Sequence, residues 1–183
     1  MTYTIEEHRH RFAVWTAARA VQRGFSKTAN ISAAVDVCGI RGFVESYDEQ
    51  AYDPDAYDAD HKSWCNCILD DLRTRADIDP ELVRYGRAAK IVAVYLKTTF
   101  IVRDPLAKLA HVAHPPIDRI LLQEAAKKAP RRSALKQRLK EKNWTELVET
   151  EYFDLIEDLR SFLPKGAPFW HLEKFWMPAK LKT

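Results

Sequence analysis

The sequence predicts an all-α fold, a compact domain built from several helices, and three observations carry this prediction. Apolar residues recur at helical spacing along most of the chain. Glycine is rare, with five in 183 residues, and few dipeptides are typical of β-hairpin turns. Hydrophobic residues make up 46% of the chain, which is enough to bury a core. The length fits a single domain spanning residues 1–183.

The first helix is predicted to begin at a capping box, Thr4-Ile-Glu-Glu7, where threonine and glutamate each bond to the other's backbone. Its apolar residues recur near helical spacing: Phe12, Trp15, Ala18 and Val21. A second helix follows the same pattern, and Gly24 and Gly39 are typical helix stops. The sequence therefore predicts two helices before residue 40.

The segment 45–60 is polar and acidic, and we interpret it as a loop and the most plausible internal boundary. The next helix is indicated by apolar residues at i, i+3, i+4 and i+7: Cys65, Ile68, Leu69 and Leu72. The long apolar run 81–102 contains many β-branched residues and could form a strand. Its length and its lack of turn signals favour a long helix instead.

The pair Pro115-Pro116 must break any helix, because proline lacks a donor and restricts the residue before it. A helix is expected directly afterwards, with Asp118 at its start, where backbone N–H groups and the helix dipole hold a carboxylate. A basic helix is expected after Pro130 in the segment 127–142, and another is expected to begin near Trp144 or Thr145. The tail 164–183 is aromatic and basic.

Charge is distributed unevenly, although the formal net charge is only +3. Residues 45–81 contain twelve acidic and three basic side chains, whereas residues 127–142 contain eight basic and one acidic. Such separation gives the molecule a positive side. The basic segment is interpreted either as a solvated helix face or as a patch that binds nucleic-acid phosphates.

Several classes of protein are excluded by what the sequence lacks. No apolar run approaches the length of a membrane span, and the polar start does not resemble a secretory signal. The three cysteines leave one unpaired thiol, which favours a reducing compartment, so we expect a cytoplasmic protein. The chain lacks nucleotide-binding glycine motifs and zinc-type cysteine spacing, and we predict no metal and no cofactor.

Two segments place chemistry-bearing residues on a helical scaffold. The first runs from Tyr85 to Thr98 and contains Gly86, Arg87, Lys90 and Lys97. The second is His114-Pro-Pro-Ile-Asp118-Arg119-Ile-Leu-Leu. Together they resemble the helix-hairpin-helix DNA glycosylase superfamily, in particular its 8-oxoguanine glycosylase/lyases. The resemblance covers roughly two thirds of the chain and is most specific in these two segments.

The resemblance implies a base-excision glycosylase, with or without AP-lyase activity, that acts on lesion-containing double-stranded DNA. Asp118 would be the catalytic carboxylate, and Lys90 the lyase nucleophile. Alignment from Gly86, the one glycine present of the hairpin's usual two, places Ala88 at the lysine position. Alignment from the helix places Lys90 there instead, and both registers stay open.

Further contacts follow from the same interpretation. The residues expected to bind DNA are Gly86, Arg87, Lys97, Arg119, Arg131 and Arg132. A base rotated out of the helix needs aromatic walls, for which we predict Phe175 and Trp176, with Lys180 and Lys182 nearby in the basic tail. The tail aromatics could equally pin the C-terminus to the core. The alternative function is a non-catalytic helical module that binds DNA or a protein, and no oligomeric state is predicted.

Overall fold

The computed structural model describes residues 3–21 and 24–177, and within them every regular element is helical, so the all-α prediction is confirmed. The α-helices are α1 (Ile5–Val21), α2 (Thr28–Val37), α3 (Ile40–Glu45), α4 (Tyr57–Arg73), α5 (Tyr85–Leu96), α6 (Lys108–Val112), α7 (Arg119–Lys128), α8 (Ala134–Glu141) and α9 (Glu149–Arg160). Short 3-10 helices span Pro54–Ala56, Pro80–Leu82 and Phe169–Phe175. None of these helices combines the length and apolar composition that crossing a membrane requires.

Helix α5 is the centre of the fold. All twelve of its residues are buried, which explains why the sequence is apolar around the whole helix. Helices α1 and α4 pack against it, and α9 also contacts it. The helix continues into a π-helix, Lys97–Ile101, where Thr98 and Thr99 donate to the carbonyls of Val94 and Tyr95. The sequence therefore forms a helix here, and the strand alternative is wrong.

Helix α1 begins where predicted, and one of the two bonds of the capping box is present, because the backbone N–H of Glu7 donates to the Thr4 hydroxyl at 3.2 Å. The Glu7 carboxylate pairs with Arg11 and Arg41 instead. The face of α1 that is buried is not the face on which its large apolar residues Phe12 and Trp15 lie. Phe12 and Trp15 are exposed, and the residues that face the core are mostly small: His10, Ala13, Val14, Ala17, Ala18 and Val21. Small side chains allow α1 to pack closely on α5, which leaves the two aromatic rings outside.

Two predicted boundaries need correction. The segment 127–142 is not one helix, because α7 ends at Lys128 and α8 begins only at Ala134. Proline at position 130 cannot donate a helical hydrogen bond, so the chain turns there before the cap at Ser133. The last long helix begins at Glu149 instead of near Trp144, since residues 144–147 pack against the start of α5.

Three other segments can be compared with their predictions: the acidic segment 45–60, the pair of prolines and the C-terminal tail. The acidic segment 45–60 contains turns, the short 3-10 helix and the first residues of α4. The two prolines lie in a non-helical stretch between α6 and α7, which is where a break was predicted. Phe169 and Leu172 are buried, so this part of the tail does pin the chain to the core.

A group of rings lies sealed in the interior, and we call it the buried histidine cluster: Tyr57, His61, Tyr85, His114 and Tyr152. The Tyr152 hydroxyl lies 3.5 Å from Nε2 of His61 and 3.2 Å from Nδ1 of His114. The Tyr85 hydroxyl lies 3.2 Å from Nδ1 of His61. Burial lowers the pKa of both histidines, because an imidazolium would lose its hydration there.

Candidate functional site

A cavity of about 580 Å³ lies where α1, α5 and the start of α7 meet the 3-10 helix near the C-terminus. This volume is within the usual range for sites that bind small molecules or single residues of a polymer. Six of the residues singled out in the sequence line it: Arg87, Lys90, Lys97, Asp118, Arg119 and Trp176. Residues that are far apart in the chain are therefore brought together around one space.

Helix α5 positions Lys90 on the cavity wall. The side chain is mostly buried, and its ammonium Nζ lies 3.5 Å from Oδ2 of Asp118. The same nitrogen lies 4.3 Å from the ring centre of Trp144, within range of a cation–π contact. The ammonium is therefore held between a carboxylate and an aromatic face. Ala88, the other register for the lysine position, is buried and does not line the cavity.

Asp118 caps α7, as its position after the two prolines predicts. Its Oδ1 accepts a 2.9 Å hydrogen bond from the backbone N–H of Leu121, which fixes the carboxylate at the helix start. Its Oδ2 accepts a 2.8 Å hydrogen bond from the indole N–H of Trp176 and also faces Lys90. One oxygen therefore holds the side chain in place, and the other faces the cavity.

Trp144 is the important residue that the sequence reasoning missed, and Gly86 explains its placement. Gly86 lies in the first turn of α5, not in a turn before it, and its N–H donates to the carbonyl of Leu147 at 3.1 Å. A Cβ at position 86 would lie 1.9 Å from the carbonyl oxygen of Trp144. Only glycine allows this approach, so a lone glycine inside an apolar helical run was the available signal.

Another part of the cavity wall is formed by Lys97, Glu173 and Trp176. Lys97, at the start of the π-helix, forms an ion pair with Glu173 of the 3-10 helix. Its ammonium also lies 5.5 Å from the ring centre of Trp176. These contacts tie the C-terminal 3-10 helix to α5 and bring the indole of Trp176 against Asp118.

Arg87 supplies a second buried cation. Burial lowers the pKa of its guanidinium, which also lies 4.7 Å from the ring centre of Phe25. Its Nε is buried and has no hydrogen-bond partner among the residues that the structure describes. A buried donor without a partner carries a free-energy cost. Arg119 also lines the cavity and is exposed.

Other predicted contact residues lie away from the cavity. Gly86 packs inside the protein, and Phe175 packs against Phe162, with ring centres 5.9 Å apart. Arg131 and Arg132 are exposed in the turn between α7 and α8, where Arg132 adopts a left-handed conformation with φ of 61°. Lys180 and Lys182 lie outside the described residues.

The arrangement can do defined chemistry. A buried amine next to a carboxylate can act as a nucleophile once its proton is removed. The carboxylate can stabilise positive charge that develops on a neighbouring atom. No group of three or more metal-ligating side chains is found within residues 3–21 and 24–177. Comparisons with protein-family models, with curated proteins and with solved structures found no match to this chain.

Proposed function

We propose that this protein is a DNA base-excision glycosylase with AP-lyase chemistry, acting on a damaged or modified base. One observation supports the proposal above the others: Lys90 and Asp118, 28 positions apart in the chain, lie 3.5 Å apart in a cavity with aromatic walls. Purely structural ion pairs are commonest on the surface, where both partners stay hydrated. This pair is mostly buried and borders a space large enough for a substrate.

In the proposed reaction, Asp118 stabilises the cation-like sugar that forms as the bond from C1′ to the base breaks. The electron pair of that bond leaves with the base, which takes up a proton. Lys90 loses its proton to a carboxylate or water and forms the new bond to C1′. The C1′–O4′ bond then breaks, with its electron pair and a proton going to O4′, and this leaves an imine between C1′ and Lys90. Removal of a proton from C2′ then lets the 3′ phosphate leave, which is the lyase step.

The cavity walls suit a base that has left the double helix. Enzymes that act on a base rotate it into a pocket and hold it between aromatic or apolar side chains. Trp144 and Trp176 line the cavity and supply such faces. Arg119 is exposed at the cavity and would supply positive charge for the DNA backbone, whereas the ammonium of Lys97 is paired with Glu173.

The test is base release from a panel of duplexes, each carrying one damaged base. The wild-type chain should release a base from at least one of them. Asp118→Asn should slow that release at least a hundredfold, because it removes the charge that stabilises the transition state. Asp104→Asn is the matched control, since Asp104 is an exposed carboxylate paired with Arg103. Release by Asp118→Asn at the wild-type rate would contradict the mechanism.

The second candidate function is a non-catalytic helical module that binds DNA or a protein partner, and the surroundings of Gly86 favour it. The Gly86 N–H is already bonded to Leu147, so it cannot bind a DNA phosphate as the glycine of a hairpin would. Salt-sensitive binding to undamaged DNA, with no base released from any duplex of the panel, would support this module.

A further inference from the structure

Two large aromatic side chains are exposed on α1 beside the cavity. Phe12 and Trp15 expose 54% and 53% of their surface, although side chains of this kind are usually buried. Their rings stack, with centres 6.1 Å apart and planes 25° apart. We call this pair the aromatic ridge. It lies outside the cavity, and nothing in the proposed mechanism uses it.

The aromatic ridge is continuous with the rim of the cavity. Side chains three and four positions apart share one face of a helix. Thr16 and Arg19 lie at these spacings from Phe12 and Trp15, and both line the cavity. The Thr16 hydroxyl donates to the carbonyl of Phe12 at 2.8 Å. A polymer with one residue in the cavity would therefore pass over or beside the ridge.

The charges around the aromatic ridge favour an anionic polymer. The exposed or partly exposed positions three and four residues from either ring contain three arginines and no acidic side chain: His8, Arg9, Arg11, Thr16 and Arg19. Arg11 is paired with Glu7 of the same helix, so its charge is partly balanced. The phosphates of a nucleic-acid strand would be attracted to such a surface, and this attraction does not depend on the nucleotide sequence. If a second copy of this chain docked on the same face, these arginines would lie against the same arginines of the other copy. Their like charges disfavour that arrangement.

We propose that the aromatic ridge stacks an unpaired nucleobase of the strand whose neighbouring nucleotide enters the cavity. Proteins bind single strands by placing successive bases on aromatic rings within a positively charged groove. A base rotated out of a duplex leaves its opposite and adjacent bases short of stacking partners. Phe12 and Trp15 each leave about half of their surface exposed to such a base. The inference rests on the proposed function for the identity of the nucleotide in the cavity.

The test compares affinities for a labelled single-stranded oligonucleotide and for the fully paired duplex of the same sequence, by fluorescence anisotropy. Trp15→Ala should weaken single-strand binding about tenfold, and Phe12→Ala should weaken it by a similar factor. Binding to the paired duplex should change far less. Leu106→Ala is the matched control, because Leu106 is 83% exposed and does not line the cavity. The slope of affinity against salt should stay unchanged, since no arginine is removed.

Unchanged single-strand affinity in both variants would overturn the proposal, and so would an equal loss on the paired duplex. A dimer that forms in solution and disappears in Trp15→Ala would also overturn it, by assigning the ridge to self-association. Failure of the proposed function is a separate result. Single-strand binding that depends on Trp15, without base release, would support the stacking surface and contradict the proposed enzymatic function. Base release together with an unchanged affinity of Trp15→Ala would support the enzymatic function and contradict the stacking surface.

Discussion

The buried histidine cluster and the cavity both gather titratable and aromatic side chains from distant parts of the chain, but they differ in access. His61 and His114 are fully buried, and their nitrogens meet tyrosine hydroxyls and the carboxylate of Asp58. Lys90 and Asp118 also pair with each other, yet they border an open space of about 580 Å³. Access to a ligand separates the two regions more clearly than the types of residue do.

This difference determines what each region can contribute. In the buried histidine cluster, removing a partner leaves a polar group without water or protein to bond, so the cost falls on folding. In the cavity, a ligand can replace the contacts that Asp118 and Trp176 now make with each other. We therefore expect substitutions in the cluster to change stability and substitutions at the cavity to change activity.

The largest expected effect comes from Gly86, which joins the two regions. Its neighbour Tyr85 bonds to the buried histidine cluster, and its own Cα faces Trp144 of the cavity. Gly86→Ala should lower the free energy of unfolding by about 3 kcal/mol, because the new methyl group would overlap the Trp144 carbonyl. Urea unfolding measures this change.

The control is Gly42→Ala, since Gly42 is also helical but a Cβ there meets nothing within 4 Å. It should leave the stability unchanged or raise it slightly, because alanine favours a helix. Equal stability changes in the two variants would contradict the packing described at Gly86.

The pH dependence of stability comes next in size. Burial lowers the pKa of His61 and His114 in the folded state, so the unfolded chain binds more protons below its ordinary histidine pKa of about 6.5. Stability gained from these groups is present above that pH and is lost as the pH falls. Between pH 7.5 and 5.5 the free energy of unfolding should therefore fall, as measured by urea unfolding at each pH.

Asp58, Arg160 and Lys62 are the charged groups facing these histidines, and none of them has an ordinary pKa inside this interval. A His8→Gln variant should show the same fall, because His8 lies on the surface. Stability that is constant from pH 7.5 to 5.5 would contradict the sealed state of the cluster.

The smallest expected change in stability comes from removing a tyrosine hydroxyl, and it should differ between Tyr152 and Tyr52. Tyr152→Phe removes the group that lies between His61 and His114, and it should lower the free energy of unfolding by about 1 to 2 kcal/mol. Tyr52→Phe is the matched control, because the buried Tyr52 hydroxyl has no partner among the described residues. Removing it should leave stability unchanged or improve it. Thermal unfolding of both variants measures whether the hydrogen bonds of the Tyr152 hydroxyl stabilise the fold. Equal stability changes in the two variants would contradict this role.

The sequence predicted the helical fold because local spacing determines most of the helices. It did not predict the orientation of α1, where the small residues Ala13 and Ala17 pack inward while Phe12 and Trp15 stay outside. Large apolar residues usually mark the buried face, but the close approach of two helices depends on tertiary packing that no local pattern contains. The exposed aromatic ridge could therefore be recognised only from the structure.

The same limit applies to the site. Lys90 and Asp118 could be singled out from a resemblance and from the helix start after two prolines, and the structure brings them together. Trp144 could not be found this way, because its position depends on a contact with Gly86 across 58 residues of chain. Phe175 and Trp176 are adjacent in sequence, but only Trp176 lines the cavity.

The most direct test of the proposed site is reductive trapping on DNA. The chain is incubated with a lesion-containing duplex and borohydride, which reduces an imine to a stable bond, and the modified residue is located by peptide mass spectrometry. We expect a covalent adduct on Lys90 that is lost in Lys90→Gln and retained in Lys140→Gln, a change at an exposed lysine on α8. An adduct located on another residue, or one that persists in Lys90→Gln, would contradict the proposed site.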